Sequence, residues 1–169
     1  GAIMAERPNT QVEMRLVSEW LSLHRAQYWT QQRVRLGGMP DGIGSSAQSE
    51  AERALLLGAF ARWADAIVEL PDRTELIEAK IVAHPVALGQ LELYARLLPL
   101  TPNLSHRRGL PVTPVLLYAV PDELVLQLAR ERGIQLVQYR PPWVDEHLAR
   151  HAARKHRAPL PQRLQEASS

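Results

Sequence analysis

The sequence has 169 residues, 46% of them hydrophobic, no cysteine, and 20 basic against 18 acidic side chains for a formal net charge of +2. That length and apolar content suit one domain with a real core, and the missing cysteines exclude disulfides and thiolate metal sites. No apolar run is long enough to span a bilayer, and a charge this near balance permits a nucleic-acid partner without demanding one.

No signal-peptide pattern opens the chain, and residues 1–3 ahead of Met4 read as an expression scar. With no cysteine to protect, a cytoplasmic setting is expected, the host's cytoplasm if the protein is viral.

Residues 10–25 read as a first helix with Val12, Leu16, Trp20 and Leu23 as its apolar stripe and Glu13 and Glu19 on its flanks. Residues 28–36 alternate as a strand whose one face carries Trp29, Gln31, Arg33 and Arg35. The glycine-rich stretch 37–46 lacks the P-loop pattern and reads as a connector. Ser49 and Glu52 form a capping box that starts a short helix at residues 54–57. Residues 65–69 and 74–81 are two strands joined by the turn Pro71-Asp72-Arg73. Gln90 and Tyr94 lie on a helix that Pro99 and Pro102 end, and residues 103–114 form a basic loop with His106, Arg107 and Arg108. Residues 115–120 are a buried strand, residues 124–129 a helix closed by Gly133, and residues 134–139 a further strand.

Pro141-Pro142 separates a core domain, residues 1–140, from a basic C-terminal helix and tail, residues 141–169. The helix spans 144–157, and residues 158–169 read as a disordered end. His147 and His151 are four apart, the spacing of helical zinc ligands, but equally that of a solvated face. The order of elements predicts an α/β fold with helices packed on a mixed sheet.

Strand alternation puts Glu78 and Lys80 on one face, with Ile77, Ala79 and Ile81 on the other, and groups Asp65 with Ile67 and Glu69. Glu78 and Lys80 are either polar residues on a wet strand face or, with Asp65, a carboxylate site for a hard cation with a lysine beside it. Lysine occurs only at positions 80 and 155, and unlike arginine it can lose a proton.

Asp65, then Glu78-Ala79-Lys80, then Gln90 and Tyr94 on the next helix, together resemble the PD-(D/E)xK nucleases, and the Gln-x-x-x-Tyr element resembles their RecB-like branch. The resemblance covers residues 62–96 closely and 11–140 in the order of elements. It departs at Ala64, where the superfamily's name has proline. It implies a restriction-endonuclease-like core, α-β-β-β-α-β with an added helix and strand. It also implies Mg²⁺ or Mn²⁺ held by Asp65, Glu78 and the Ala79 carbonyl, with Lys80 serving the attacking water or the phosphate and Gln90 and Tyr94 lining the site. An acid on the first helix often completes such sites, and Glu19 is the candidate. Arg33, Arg35, Arg107 and Arg108 are the expected phosphate contacts. The expected function is hydrolysis of DNA phosphodiester bonds, in a phage or DNA-processing assembly. The alternative is a catalytically silent nucleic-acid-binding or assembly protein on the same fold.

Overall fold

The computed structural model describes residues 8–37 and 62–157. The connector beyond Gly37, the Ser49–Glu52 capping box with its short helix, and the tail from residue 158 lie outside the described residues. The chain divides into two compact units, Gly1–Tyr139 and Arg140–Ser169.

The first unit runs α1 (Pro8–His24), β1 (Trp29–Leu36), β2 (Arg62–Glu69), β3 (Thr74–Val82), α2 (Pro85–Leu97), two short 3₁₀ turns (Leu98–Leu100 and Pro102–Arg107), β4 (Val112–Val120), α3 (Glu123–Glu131) and β5 (Gln135–Gln138). The five strands form one sheet in chain order. β1, β2 and β3 pair antiparallel, and β3, β4 and β5 pair parallel. This is the mixed α/β sheet that the sequence led us to expect.

The parallel half explains the burial pattern. Crossover helices cover both faces of such strands, and β3 is buried at every residue except Lys80 and Val82. Leu76, Leu116 and Tyr118 meet Leu88, Leu91 and Tyr94 of α2, with Val125 and Ala129 of α3, in a single apolar cluster. α1 packs on β3 and β2 through a stripe of Leu16, Val17, Trp20 and Leu21. Each such side chain removed from water stabilises the fold by about 1.5–3 kcal/mol. Leu16 and Trp20 lie in the stripe as expected, but Leu23 is 65% exposed, because Val17 and Leu21 flank them on the buried face instead.

Two arginines act as struts. Arg25, just past α1, grips the buried Glu75 through Nε–Oε1 at 2.6 Å and Nη2–Oε2 at 3.1 Å, and lies 4.8 Å over the Trp20 ring. Hydrogen bonding and charge from Glu75 hold its pKa above the usual arginine value. Arg107 donates to Thr74 Oγ1 at 2.9 Å and to the carbonyls of Leu70 and Arg73 at 2.6 and 2.8 Å. It therefore pins the β2–β3 turn from below, and is engaged by the fold rather than open to phosphate. Its neighbour His106 bonds Glu69. The basic segment 103–114 read as a loop thus begins in a 3₁₀ turn that ends at Arg107 and packs against the hairpin, and its last three residues already belong to β4.

α2 begins cleanly. His84 caps it, Nδ1 accepting from the Val86 amide at 3.1 Å, and Pro85 occupies the first turn, where no amide is needed. That fixes the rotational phase in which Gln90 and Tyr94 are presented.

The second unit holds α4 (Pro142–Arg157), with Arg140 paired to Asp145 at 2.6 Å. His147 and His151 stack with centroids 6.3 Å apart. Among the described residues no group of three or more His, Cys, Asp or Glu could hold a metal, so this pair has no third ligand there to make a zinc site.

Candidate active site at the open end of the hairpin

β2 and β3 are paired from Glu69↔Thr74 to Ala66↔Ile77, and there the ladder stops. The next two residues in register are Asp65 and Glu78. Their side chains replace the missing ladder bonds. Glu78 Oε1 accepts from the Asp65 amide at 3.2 Å, and Asp65 Oδ2 accepts from the Ala79 amide at 2.8 Å. Each carboxylate thus uses one oxygen to satisfy a backbone N–H of the opposite strand, and the two carboxyl groups lie within hydrogen-bonding reach of each other.

Two carboxylates crossed in this way repel, and neither is well hydrated. Glu78 is only 3% exposed. Burial pushes its pKa well above the usual carboxylate value, and the neighbouring Asp65 charge pushes it the same way. Asp65 is raised too, mainly by burial, against the pull of the Ala79 amide, a hydrogen bond with Glu78, and the Lys80 and Arg33 charges. The arrangement asks for a cation.

Lys80 follows two residues after Glu78, and its Nζ lies 3.7 Å from Glu13 Oε1 on α1. Burial raises the Glu13 pKa to about 7 despite Lys80, and the Asp65 charge adds to the rise. The α1 acid at this site is therefore Glu13, not Glu19. Glu19 receives Arg15 Nε at 3.2 Å and the Tyr139 hydroxyl at 3.1 Å instead. The signal was present in the sequence. Glu13 lies three and four residues before Leu16 and Val17, so it shares the buried face of the helix. An acid on the apolar stripe needs an explanation that an acid on the wet face does not.

α2 supplies the other wall. Tyr94 is 6% exposed, and its phenol pKa is raised by burial and then by the Glu78 charge, with a hydrogen bond from Gln90 acting in the opposite sense. Gln90 Oε1 is buried with no hydrogen-bond partner among the described residues. Buried acceptors are normally satisfied, so this one marks a place for a donor that the described residues do not provide. Arg33 and Arg35 are exposed on β1. Arg33 sits opposite Asp65 with φ of 55°, left-handed for a non-glycine residue, and the β1–β2 pairing skips it. Arg108 is also exposed and donates to the Pro99 carbonyl at 3.0 Å. Of the predicted residues, the fold thus brings Asp65, Glu78, Ala79, Lys80, Gln90, Tyr94 and Arg33 to one end of the hairpin. It leaves Glu19 and Arg107 elsewhere.

The donor set fits a hard divalent cation. Two carboxylates and a strand carbonyl offer oxygen only, and such a cation completes its shell with water. Among the described residues, no third carboxylate or imidazole joins them closely enough to form an all-protein cage.

No protein-family model matches the chain, and no curated protein matches it. Among solved structures it resembles a repair endonuclease from Pyrococcus abyssi (16% identity, TM-score 0.48, 78% of this chain and 47% of that one). It also resembles EndoMS in a complex with double-stranded DNA (14%, 0.44, 78% and 45%) and a protein of unknown function designated AF1548 (15%, 0.47, 77% and 58%). The chain spans about half the length of these structures.

Proposed function

We propose that this chain is a nuclease of the PD-(D/E)xK type, RecB-like branch, hydrolysing DNA phosphodiester bonds with Mg²⁺ or Mn²⁺. The observation that carries the reading is the pair Asp65 and Glu78, crossed and desolvated where the hairpin ladder opens, with Lys80 on the same strand face. A bound cation would neutralise charge on the phosphate and favour ionisation of water at neutral pH.

The chain's own residues do the rest. Asp65, Glu78 and the Ala79 carbonyl would hold the cation. Lys80 orients the attacking water and exchanges its proton, and the nearby Glu13 sets the charge that Lys80 experiences. Gln90 Oε1 accepts a hydrogen bond from water, and Tyr94 fixes the Gln90 amide. Arg33 and Arg35 meet phosphates flanking the reacting one, a contact that gives affinity without sequence readout.

Supercoiled plasmid and linear duplex incubated with the protein and Mg²⁺, Mn²⁺ or EDTA test this directly. Cleavage should require the metal and disappear in Asp65→Asn. Asp65→Asn cutting at the parent's rate would refute the site. Salt-sensitive binding with no cutting under any metal would instead favour the silent binding protein.

A further inference from the structure

We propose that Trp63 and Arg33 form a stacking platform for an unpaired nucleobase beside the reacting phosphate, so that the preferred substrate is single-stranded DNA. The position of that phosphate rests on the nuclease reading above; the platform itself rests on the following geometry.

Trp63 lies two residues before Asp65 on β2, hence on the same strand face and about 6.6 Å along it. Its neighbour Ala64 is fully buried, yet Trp63 is 45% exposed. The guanidinium carbon of Arg33 stands 6.0 Å from the centroid of that ring. Arg33 is the β1 residue whose backbone turns left-handed opposite Asp65, and its positive charge is felt at the Asp65 carboxylate. Arg35 is paired directly across from Trp63. The ring thus has the Arg33 guanidinium over it, Arg35 across from it on the neighbouring strand, and Asp65 two residues along the same face. A base stacks on such a ring whatever its identity, while the arginines take the phosphates on either side. A blunt duplex hides the faces of all but its two terminal base pairs in its own stack, so along its length only an unpaired base can use the platform.

Labelled 15-nucleotide single strand and the matching blunt duplex, titrated in EDTA, test the proposal without turnover. Trp63→Ala should weaken single-strand binding by about 5- to 150-fold, the range for loss of one stacked base. Its duplex binding should change by no more than about threefold, and Trp63→Phe should stay within about threefold on both. Trp29→Ala is the control: Trp29 is 52% exposed but pairs with Glu69 at the far end of β1. A second readout does not need the alanine variant to fold. Stacking quenches indole emission, so single strand should quench the parent strongly and Trp63→Phe weakly. Unchanged quenching in Trp63→Phe overturns the platform, as does Trp63→Ala binding single strand like the parent or losing equally on both DNAs. Because these measurements need no cleavage, they fail separately from the Asp65→Asn assay.

Discussion

Replacing Glu78 by glutamine should stabilise the metal-free protein while destroying its activity. The Glu78 carboxylate is desolvated and crowded by Asp65, and its folded pKa lies well above the ordinary 4.5. An acid whose pKa is raised by folding gives its full stability below its unfolded pKa. That stability is lost as pH climbs through the folded value. At neutral pH the parent is therefore destabilised by two buried carboxylates forced together. Glutamine keeps the acceptor that receives the Asp65 amide at 3.2 Å and removes the charge. The gain should be on the order of 0.5–2 kcal/mol, the usual effect of relieving a strained functional site. For a chain of this size that corresponds to a rise in Tm of roughly 1–8 °C. Glu78→Ala should fall below Glu78→Gln by about 1–3 kcal/mol, because it leaves the Asp65 amide without its partner. Thermal melts of the three proteins in EDTA from pH 4 to pH 8 give the readout. The Gln-minus-parent difference should be near zero at pH 4 and widen as pH rises. A Glu78→Gln variant that melts below the parent at pH 7.5, or a difference independent of pH, would refute the reasoning.

Lys80→Ala should abolish cleavage with metal and DNA binding largely intact, and Lys80→Arg should not restore it, since guanidinium keeps its proton; substantial activity in the arginine variant would reduce Lys80 to a fixed positive charge. Arg25→Ala leaves the buried Glu75 with only the longer pairing to Arg73 at 3.9 Å and should cost about 3–5 kcal/mol, measured by urea unfolding; a loss below about 1 kcal/mol would mean that Arg73 or water compensates Glu75. Arg107→Ala should lower stability by about 1.5–3 kcal/mol, whereas the double variant Arg33→Ala, Arg35→Ala should leave stability alone and flatten the salt dependence of DNA affinity. Equal salt slopes in parent and double variant would place the phosphate contacts elsewhere.

Local patterning carried the hairpin far. Two apolar runs around Pro71-Asp72-Arg73 fix the turn, and strand alternation then places Glu78 with Lys80 and Asp65 with Ile67 before any coordinate is known. The Gln90–Tyr94 face is legible for the same reason, because four residues make about one turn of helix. What local patterning could not supply is where one element crosses another. Glu13 is legible as the acid on the apolar face of α1, but that it meets Lys80 depends on how that helix lies on β2 and β3. Arg107 and Arg108 are neighbours in a basic run, yet one turns under the β2–β3 turn and the other outward. The left-handed Arg33 leaves no trace in composition.

The crossed carboxylates have a consequence for how such a protein would decay. Because Asp65 and Glu78 also splice the backbone where the two strands part, a lineage released from selection for cleavage would not be free to lose them outright. The changes Asp65→Asn and Glu78→Gln would preserve the splice, discard the repulsion and be favoured by stability alone. Position 80 has no such backbone duty; its tie among the described residues is the ion pair with Glu13, so it would drift once that acid is lost or neutralised. A retired copy of this chain should therefore carry those two amides beside an arbitrary residue at position 80, and a preserved lysine there is the better witness that chemistry is still under selection.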